Sequence, residues 1–265
     1  MGRGHRPSLR LAVAQFDAVS GNLDHNIACH VQLLEEAAAG SAAIVVFPEL
    51  STTGYCSSLL DQDLSACAVD PGGDGLSELR AACARLGIAA VVGAPVKRER
   101  GFHLSAIVID RNVNIERVYD KMYLDRDERR WFVRGDRPQQ ITLDGWKLGL
   151  GICYDSSFPE HARGYALTGA DAYLLSGAFP LGRSDYRRTI YFPARSLENT
   201  VYLAFANYIG EHDGLGYGGM SAIHGPDGQC LGDAGSSDAG IAIIDLDHQH
   251  LLETRQSLQM LQDCT

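Results

Sequence analysis

Gly149-Leu150-Gly151-Ile152-Cys153-Tyr154-Asp155 is an apolar run that halts at a cysteine, an aromatic residue and a carboxylate. With Lys147 and Leu148 it reads as a strand over 147–153. The Asp144-Gly145 pair before it, with a short apolar run over 141–143 beyond, is a two-residue hairpin signal. Downstream, Pro159 opens a helix over 159–168. Proline suits a first helical turn, where its missing N–H has no partner to lose, and Gly169 closes the helix. A strand at 172–176, a helix at 186–198 and a strand at 201–208 follow. Helices interleaved with hairpins and isolated strands predict mixed sheets covered by helices, an α/β (α+β mixed-sheet) chain.

The N-terminal side follows the same grammar. Leu9, Leu11 and Val13 alternate along an opening strand over 9–15, and a helix over 22–39 has Asn22 or Asp24 available as its cap. An apolar run at 42–47 ends at Pro48. A helix over 76–86 stops at Gly87, and a buried strand follows at 88–93. Runs at 104–109 and 115–119 flank the polar turn at 110–114 as a second hairpin. The stretch 220–245 is strand-rich around a Pro226-Asp227-Gly228 turn. No linker, repeat or low-complexity segment divides the chain, so one domain is expected over 8–247. A helical or irregular C-terminal tail is expected over 248–265.

Three polar residues stand where apolar strands end, and sheet ends are where α/β folds build their sites. Glu49 follows the run ending at Phe47, Lys121 follows the strand ending at Tyr119, and Cys153 ends the run quoted above. Taken singly, each has an ordinary reading: a packed thiol, a cap and a solvated ammonium. Together they make a reactive set. A thiol with pKa near ~8.5 is mostly protonated at neutral pH, and it gains nucleophilicity from a carboxylate that takes its proton and an ammonium that favours its anion.

Phe47-Pro48-Glu49 with Thr53-Gly54-Tyr55, then Asp120-Lys121, then Gly151-Ile152-Cys153-Tyr154-Asp155 with Phe158-Pro159-Glu160, resembles the nitrilase (carbon–nitrogen hydrolase) superfamily. Ala194-Arg195, Glu198-Asn199, Gly219-Met220-Ser221 and Gly225-Pro226-Asp227-Gly228 extend the likeness in family order across nearly the whole chain. The resemblance implies a four-layer α-β-β-α sandwich of the nitrilase type, a homodimer or higher homo-oligomer, and a Glu–Lys–Cys triad. In that triad Glu49 is the general base, Lys121 the lysine and Cys153 the nucleophile. It also implies a supporting glutamate after the lysine, and Glu128 stands in the expected place ahead of Trp131-Phe132; a solvated face is its alternative reading. The substrate-contacting set is Tyr55, Tyr123, Tyr154, Ala178 and Phe179, with Tyr55 and Tyr123 fitting either the pocket wall or rim packing. Asp155 and Arg195 read as structural hydrogen-bonding residues. His161 reads as a surface or interface histidine.

Composition excludes other classes. The 265 residues carry 23 Lys and Arg against 33 Asp and Glu, a formal net charge of −10, so nucleic acid and anionic membranes are poor partners. No apolar run approaches the ~18 residues of a membrane span. The basic-then-apolar start is broken by Arg10 and Gln15, which favours a strand over an export signal. Seven scattered cysteines form no C-x-x-C pair and no zinc spacing, which points to reduced thiols in the cytoplasm, most of them inert core residues.

The favoured reaction is hydrolysis of a small aliphatic amide, ω-amino amides included, through a thioester; it requires no metal or organic cofactor. Removal of an N-carbamoyl group is the alternative, weakened by Ser156 and Ser157 standing where some such hydrolases carry arginines, although Arg183, Arg187 or Arg188 could serve from another loop. Nitrile hydrolysis starts with the same attack. A catalytically silent scaffold is the reading from another class, and the intact set Glu49, Lys121, Glu128 and Cys153 argues against it.

Overall fold

A computed structural model describes residues 6–264. The first half runs β1 (Leu9–Gln15), α1 (Leu23–Ala39), β2 (Ile44–Val46), α2 (Ser57–Cys67), α3 (Ser77–Leu86), β3 (Ala89–Arg98), β4 (Gly101–Ile109) and β5 (Ile115–Asp120). The second continues β6 (Gln140–Leu143), β7 (Trp146–Ile152), α4 (Pro159–Leu167), β8 (Ala172–Ser176), α5 (Arg183–Asn199) and β9 (Tyr202–Ala206). It closes with β10 (Ile209–His212), β11 (Leu215–Gly218), β12 (Ala222–His224), β13 (Cys230–Asp233), β14 (Gly240–Leu246) and α6 (His248–Ser257).

Two six-stranded mixed sheets result, ordered β14-β1-β2-β3-β4-β5 and β13-β12-β9-β8-β7-β6, with β10 and β11 as a separate hairpin. Each sheet is apolar on both faces, and the alternation of side chains decides the layering. From the first sheet Leu9, Leu11, Val13, Val46 and Val91 meet Leu148, Leu150, Ile152, Leu174 and Ala204 of the second in one inter-sheet core. The intervening Ala12, Ala14, Val45 and Val92 turn outward against Ile27, Leu34, Leu79 and Cys83 of α1 and α3. On the far side Tyr173, Leu175, Leu203 and Phe205 pack against Ala162, Tyr165 and Phe192 of α4 and α5. The architecture is an α-β-β-α sandwich. Each fully buried Leu or Val in it contributes roughly 1.5–3 kcal/mol of transfer free energy.

Local signals are realised closely. Asn22 caps α1 by accepting from the His25 N–H, and the Asp144-Gly145 turn joins β6 to β7 with Leu143 opposite Trp146. Helix α6 follows β14, buries Leu251, and anchors through Arg255, which donates to the Ala170 carbonyl at 2.7 Å. The final residue of the expected tail, Thr265, lies outside the described residues. Helix α2 and the β10–β11 hairpin were not expected from sequence. The cysteines also divide differently: Cys56, Cys67 and Cys83 are buried, whereas Cys230 and Cys264 are exposed.

Candidate active site

The three strand ends converge. Glu49 lies just beyond β2, where its N–H donates to the Gly177 carbonyl of the other sheet at 3.1 Å and its own carbonyl accepts from the Tyr208 hydroxyl at 2.5 Å. Strand β3 passes so close that a Cβ on Gly93 would sit 2.4 Å from the Leu50 nitrogen and the Pro48 oxygen. Only glycine fits there. Lys121 directly follows β5, with its N–H on the Leu104 carbonyl and its carbonyl accepting from Gly135, both at 2.8 Å. The chain then turns back through a short 3-10 turn, Glu128–Arg130, which points Glu128 at the same place.

Lys121 Nζ donates to Glu49 Oε1 at 2.6 Å and to Glu128 Oε1 at 2.7 Å, and all three side chains are almost wholly out of solvent. Glu128 is further held by the Tyr55 hydroxyl at 3.1 Å and by the Asp125 N–H at 2.8 Å. Its position in a charged stretch made a solvated face a fair alternative; it is buried. Glu49 Oε2, also buried, makes no hydrogen bond of ordinary geometry among the described residues, and the Cys153 thiol is a neighbouring donor to the Glu49 carboxyl. A buried carboxylate oxygen so placed is an acceptor in waiting.

Cys153 arrives from the other sheet, at the end of β7, with φ 40. A left-handed backbone at a non-glycine residue costs about 1–3 kcal/mol and is concentrated at functional sites. The residue is half-buried, and its thiol contacts the Ala178 carbonyl at 3.7 Å. A 3-10 turn, Cys153–Ser157, begins here, so the Tyr154 N–H belongs to the first amides of a helical turn, which lack partners within it.

The electrostatics couple these groups. Burial pushes the Glu49 carboxyl up to about 8, with the Lys121 charge opposing and the Glu128 charge reinforcing the shift. Burial pushes the Cys153 thiol well above its ordinary value, assisted by the Glu49 charge and opposed by Lys121. Burial alone would lower Lys121, but the charges of Glu128 and Glu49 outweigh it and keep the ammonium protonated. The resting site therefore holds a neutral thiol beside a carboxyl that ionises only as pH rises toward about 8, rather than a preformed thiolate.

The remaining sequence-derived residues divide. Tyr55 and the Ala178 carbonyl touch this cluster. Tyr123 stacks on Phe158 at 3.8 Å, and with Tyr154, Leu124, Phe132 and Arg134 it lines a neighbouring cavity of about 440 Å³. The Phe179 ring packs between Phe192 and Phe205, while its backbone N–H and carbonyl are both gripped by Asn207. Asp155 and Arg195 are structural, as expected: Asp155 accepts from the Ile152 and Tyr123 amides, and Arg195 donates to the Ser156 carbonyl. Arg188 pairs with Asp185 and Arg187 donates to Ser184, both within α5.

Two tyrosines take places at the site that the sequence reading did not assign them. Tyr208 fixes the Glu49 backbone, and Tyr217, bridged to Pro180, packs on Tyr208 with ring centroids 5.6 Å apart. Tyr208 belongs to Ala206-Asn207-Tyr208, a stretch that resembles aliphatic amidases, whereas Tyr217 lies in a four-residue strand with no motif to mark it. His161 is a correction: it is not on the surface but buried, hydrogen-bonded to the hydroxyls of Tyr119 and Tyr173. Its partners lie 42 and 12 residues away, so proximity in sequence gave no hint.

Residues 10–256 match the family model for carbon–nitrogen hydrolases. The chain belongs to this family. It is 33% identical over 258 residues to a hydrolase in the pqqF 5′ region of Pseudomonas protegens, covering 96% of this chain and 88% of that one. It is 29% identical over 256 residues to the 2-oxoglutaramate amidase of Bacillus subtilis, covering 96% of each. Among solved structures, an amidase from Nesterenkonia sp. AN1, carrying the acetamide moiety of fluoroacetamide on its active-site cysteine, superposes with a TM-score of 0.82. It is 28% identical, with 100% of this chain and 98% of that one covered. The protein is thus an amidase-like member of the nitrilase superfamily and a hydrolase of carbon–nitrogen bonds.

Proposed function

We propose that this carbon–nitrogen hydrolase cleaves small aliphatic amides, ω-amino amides included, to carboxylic acid and ammonia, with Cys153 as nucleophile. The observation that carries the reading is the single buried ammonium of Lys121 bound by both Glu49 and Glu128, with the Cys153 thiol a donor to the Glu49 carboxyl.

In this reading the Cys153 sulfur adds to the amide carbonyl carbon as its proton passes to Glu49. The oxyanion is met by Lys121 Nζ and the Tyr154 N–H; one such donor is worth about 3–4 kcal/mol of barrier. Glu49 returns the proton to the nitrogen, the C–N bond breaks, and ammonia departs from a thioester. Water then gives a proton to Glu49 and adds to the thioester, releasing the acid as the proton returns to sulfur. Glu128 holds Lys121 in place, and Tyr55 holds Glu128. Tyr123, Tyr154, Ala178 and Phe179 are proposed to shape the pocket, through backbone for the last two.

The proposed assembly is a homodimer. Helices α4 and α5 expose Leu167, Tyr186, Ile190 and Leu197 on the outer layer, and an apolar face of this kind is suited to a second copy. The proposed compartment is the cytosol, supported by seven free thiols. Among the described residues no helix is long and apolar enough to cross a membrane.

The test is ammonia release across short amides, ω-amino amides, ω-amide acids, carbamoyl compounds and nitriles, with Cys153→Ala as blank. Turnover confined to the intact thiol, with an acyl mass on the peptide carrying Cys153, supports the reading. Equal turnover by Cys153→Ala overturns it.

A further inference from the structure

Behind the nucleophile lies a buried chain of hydrogen bonds that the chemistry above does not use. Asp155 Oδ2 accepts from the Tyr119 hydroxyl at 2.7 Å and from the Ile152 N–H at 2.9 Å, and its Oδ1 accepts from the Tyr123 N–H at 2.9 Å. The Tyr119 oxygen lies 2.9 Å from His161 Nε2, and His161 Nδ1 lies 2.9 Å from the Tyr173 hydroxyl. All four side chains are buried.

The order of donors follows from the ends. Tyr119 spends its one proton on Asp155, so its oxygen can only accept from His161, and Nε2 must carry the hydrogen. A neutral imidazole then has Nδ1 as acceptor, filled by the Tyr173 hydroxyl. Burial favours that neutral form by lowering the His161 pKa. The chain runs one way: Tyr173 to His161 to Tyr119 to Asp155.

Both ends bear on the same piece of backbone. Asp155 grips the Ile152 amide, one residue before the left-handed Cys153. The Tyr173 oxygen lies where a Cβ on Gly151 would be, 2.1 Å from that ideal position. Asp155 also grips the Tyr123 amide, two residues beyond Lys121. The network therefore ties the nucleophile's turn to the lysine's loop. Both segments leave separate sheets here.

We propose that His161 is a positioning residue for Cys153, acting through Tyr119 and Asp155 to set the left-handed turn and its distance from the Lys121 loop. This rests on Cys153 being the nucleophile. It assigns a role in turnover to a histidine that touches neither substrate nor thiol.

The test compares His161→Phe, His161→Gln and the isosteric Tyr119→Phe with wild type. The readouts are kcat and KM on butyramide or another short amide, and the rate of Cys153 alkylation by iodoacetamide located by peptide mass. Loss of positioning lowers kcat about 10- to 100-fold with KM held within about twofold, and slows alkylation in parallel. Glutamine, which retains one donor and one acceptor, recovers a large part of the loss. If His161→Phe does not fold, Tyr119→Phe carries the test alone, since it removes only one oxygen. Folded variants with wild-type kcat and alkylation rate overturn the proposal. Wild-type turnover by Cys153→Ala would instead defeat the nucleophile assignment itself.

Discussion

The hydroxyl of Tyr208 donates to the backbone carbonyl of Glu49 at 2.5 Å, joining chain segments 159 residues apart. The bond fixes the Glu49 backbone, and with it the proposed base, from the side of the second sheet. Tyr208→Phe leaves that carbonyl buried without its donor, a cost of about 1–3 kcal/mol. Urea unfolding should register that loss. Turnover should fall about tenfold or more as Glu49 drifts, and unchanged kcat would show that the bond serves stability alone.

Lys121→Met is expected to be severe in two ways. It leaves Glu49 and Glu128 buried around a methyl group, and removal of one member of a buried ion pair costs about 3–5 kcal/mol. Ammonia release should disappear. Unfolding curves and activity on the purified variant check the two losses separately.

The Glu49 carboxyl sets opposite pH trends for rate and stability. The native protein keeps the Glu49 proton up to about 8, whereas an unfolded glutamate releases it near 4.5. Between these values the native state binds more protons, so the stabilisation is complete at the acid end and is lost as pH rises through about 8. The rate runs the other way, because the base must be ionised: kcat/KM should climb through the same window. Glu128→Gln removes a charge that helps hold Glu49 protonated, so the rising limb should move to lower pH. A limb that stays put or moves upward contradicts the coupling.

Gly93→Ala places a methyl carbon against the Pro48–Leu50 backbone. Overpacking of this kind costs about 1–3 kcal/mol, and the atoms that must yield belong to the residues on either side of Glu49. Differential scanning calorimetry should show a lower Tm, and kcat should drop further than the stability loss explains. Normal activity would mean that β3 itself moves aside.

Much of the fold was legible because local chemistry and tertiary role coincide. The apolar run that became β8 is buried on both faces, and Asp144-Gly145 made the turn such a pair favours. Helix α2 was illegible for the opposite reason: it buries only Leu60 and Cys67 and kinks at Asp63, so no stripe announces it. The β10–β11 hairpin likewise buries few side chains on strands of four residues. For the site, Glu49, Lys121 and Cys153 stood out as charged or reactive residues at strand ends, and Glu128 by its place after the lysine in the family pattern. The placements of Tyr208, Tyr217 and His161 were hidden, since their partners come from remote segments and an isolated tyrosine or histidine looks the same in a core, a rim or a pocket.

Glu49 and Lys121 are carried by one sheet and Cys153 by the other, and leucines and valines fill the space between. Warming that loosens this greasy seam would let the halves slide while every strand ladder stays paired. Turnover then works as a strain gauge for the sandwich. On a temperature ramp, amide hydrolysis should fade several degrees before the far-ultraviolet dichroism changes, and added substrate should narrow that gap by pinning the two halves together.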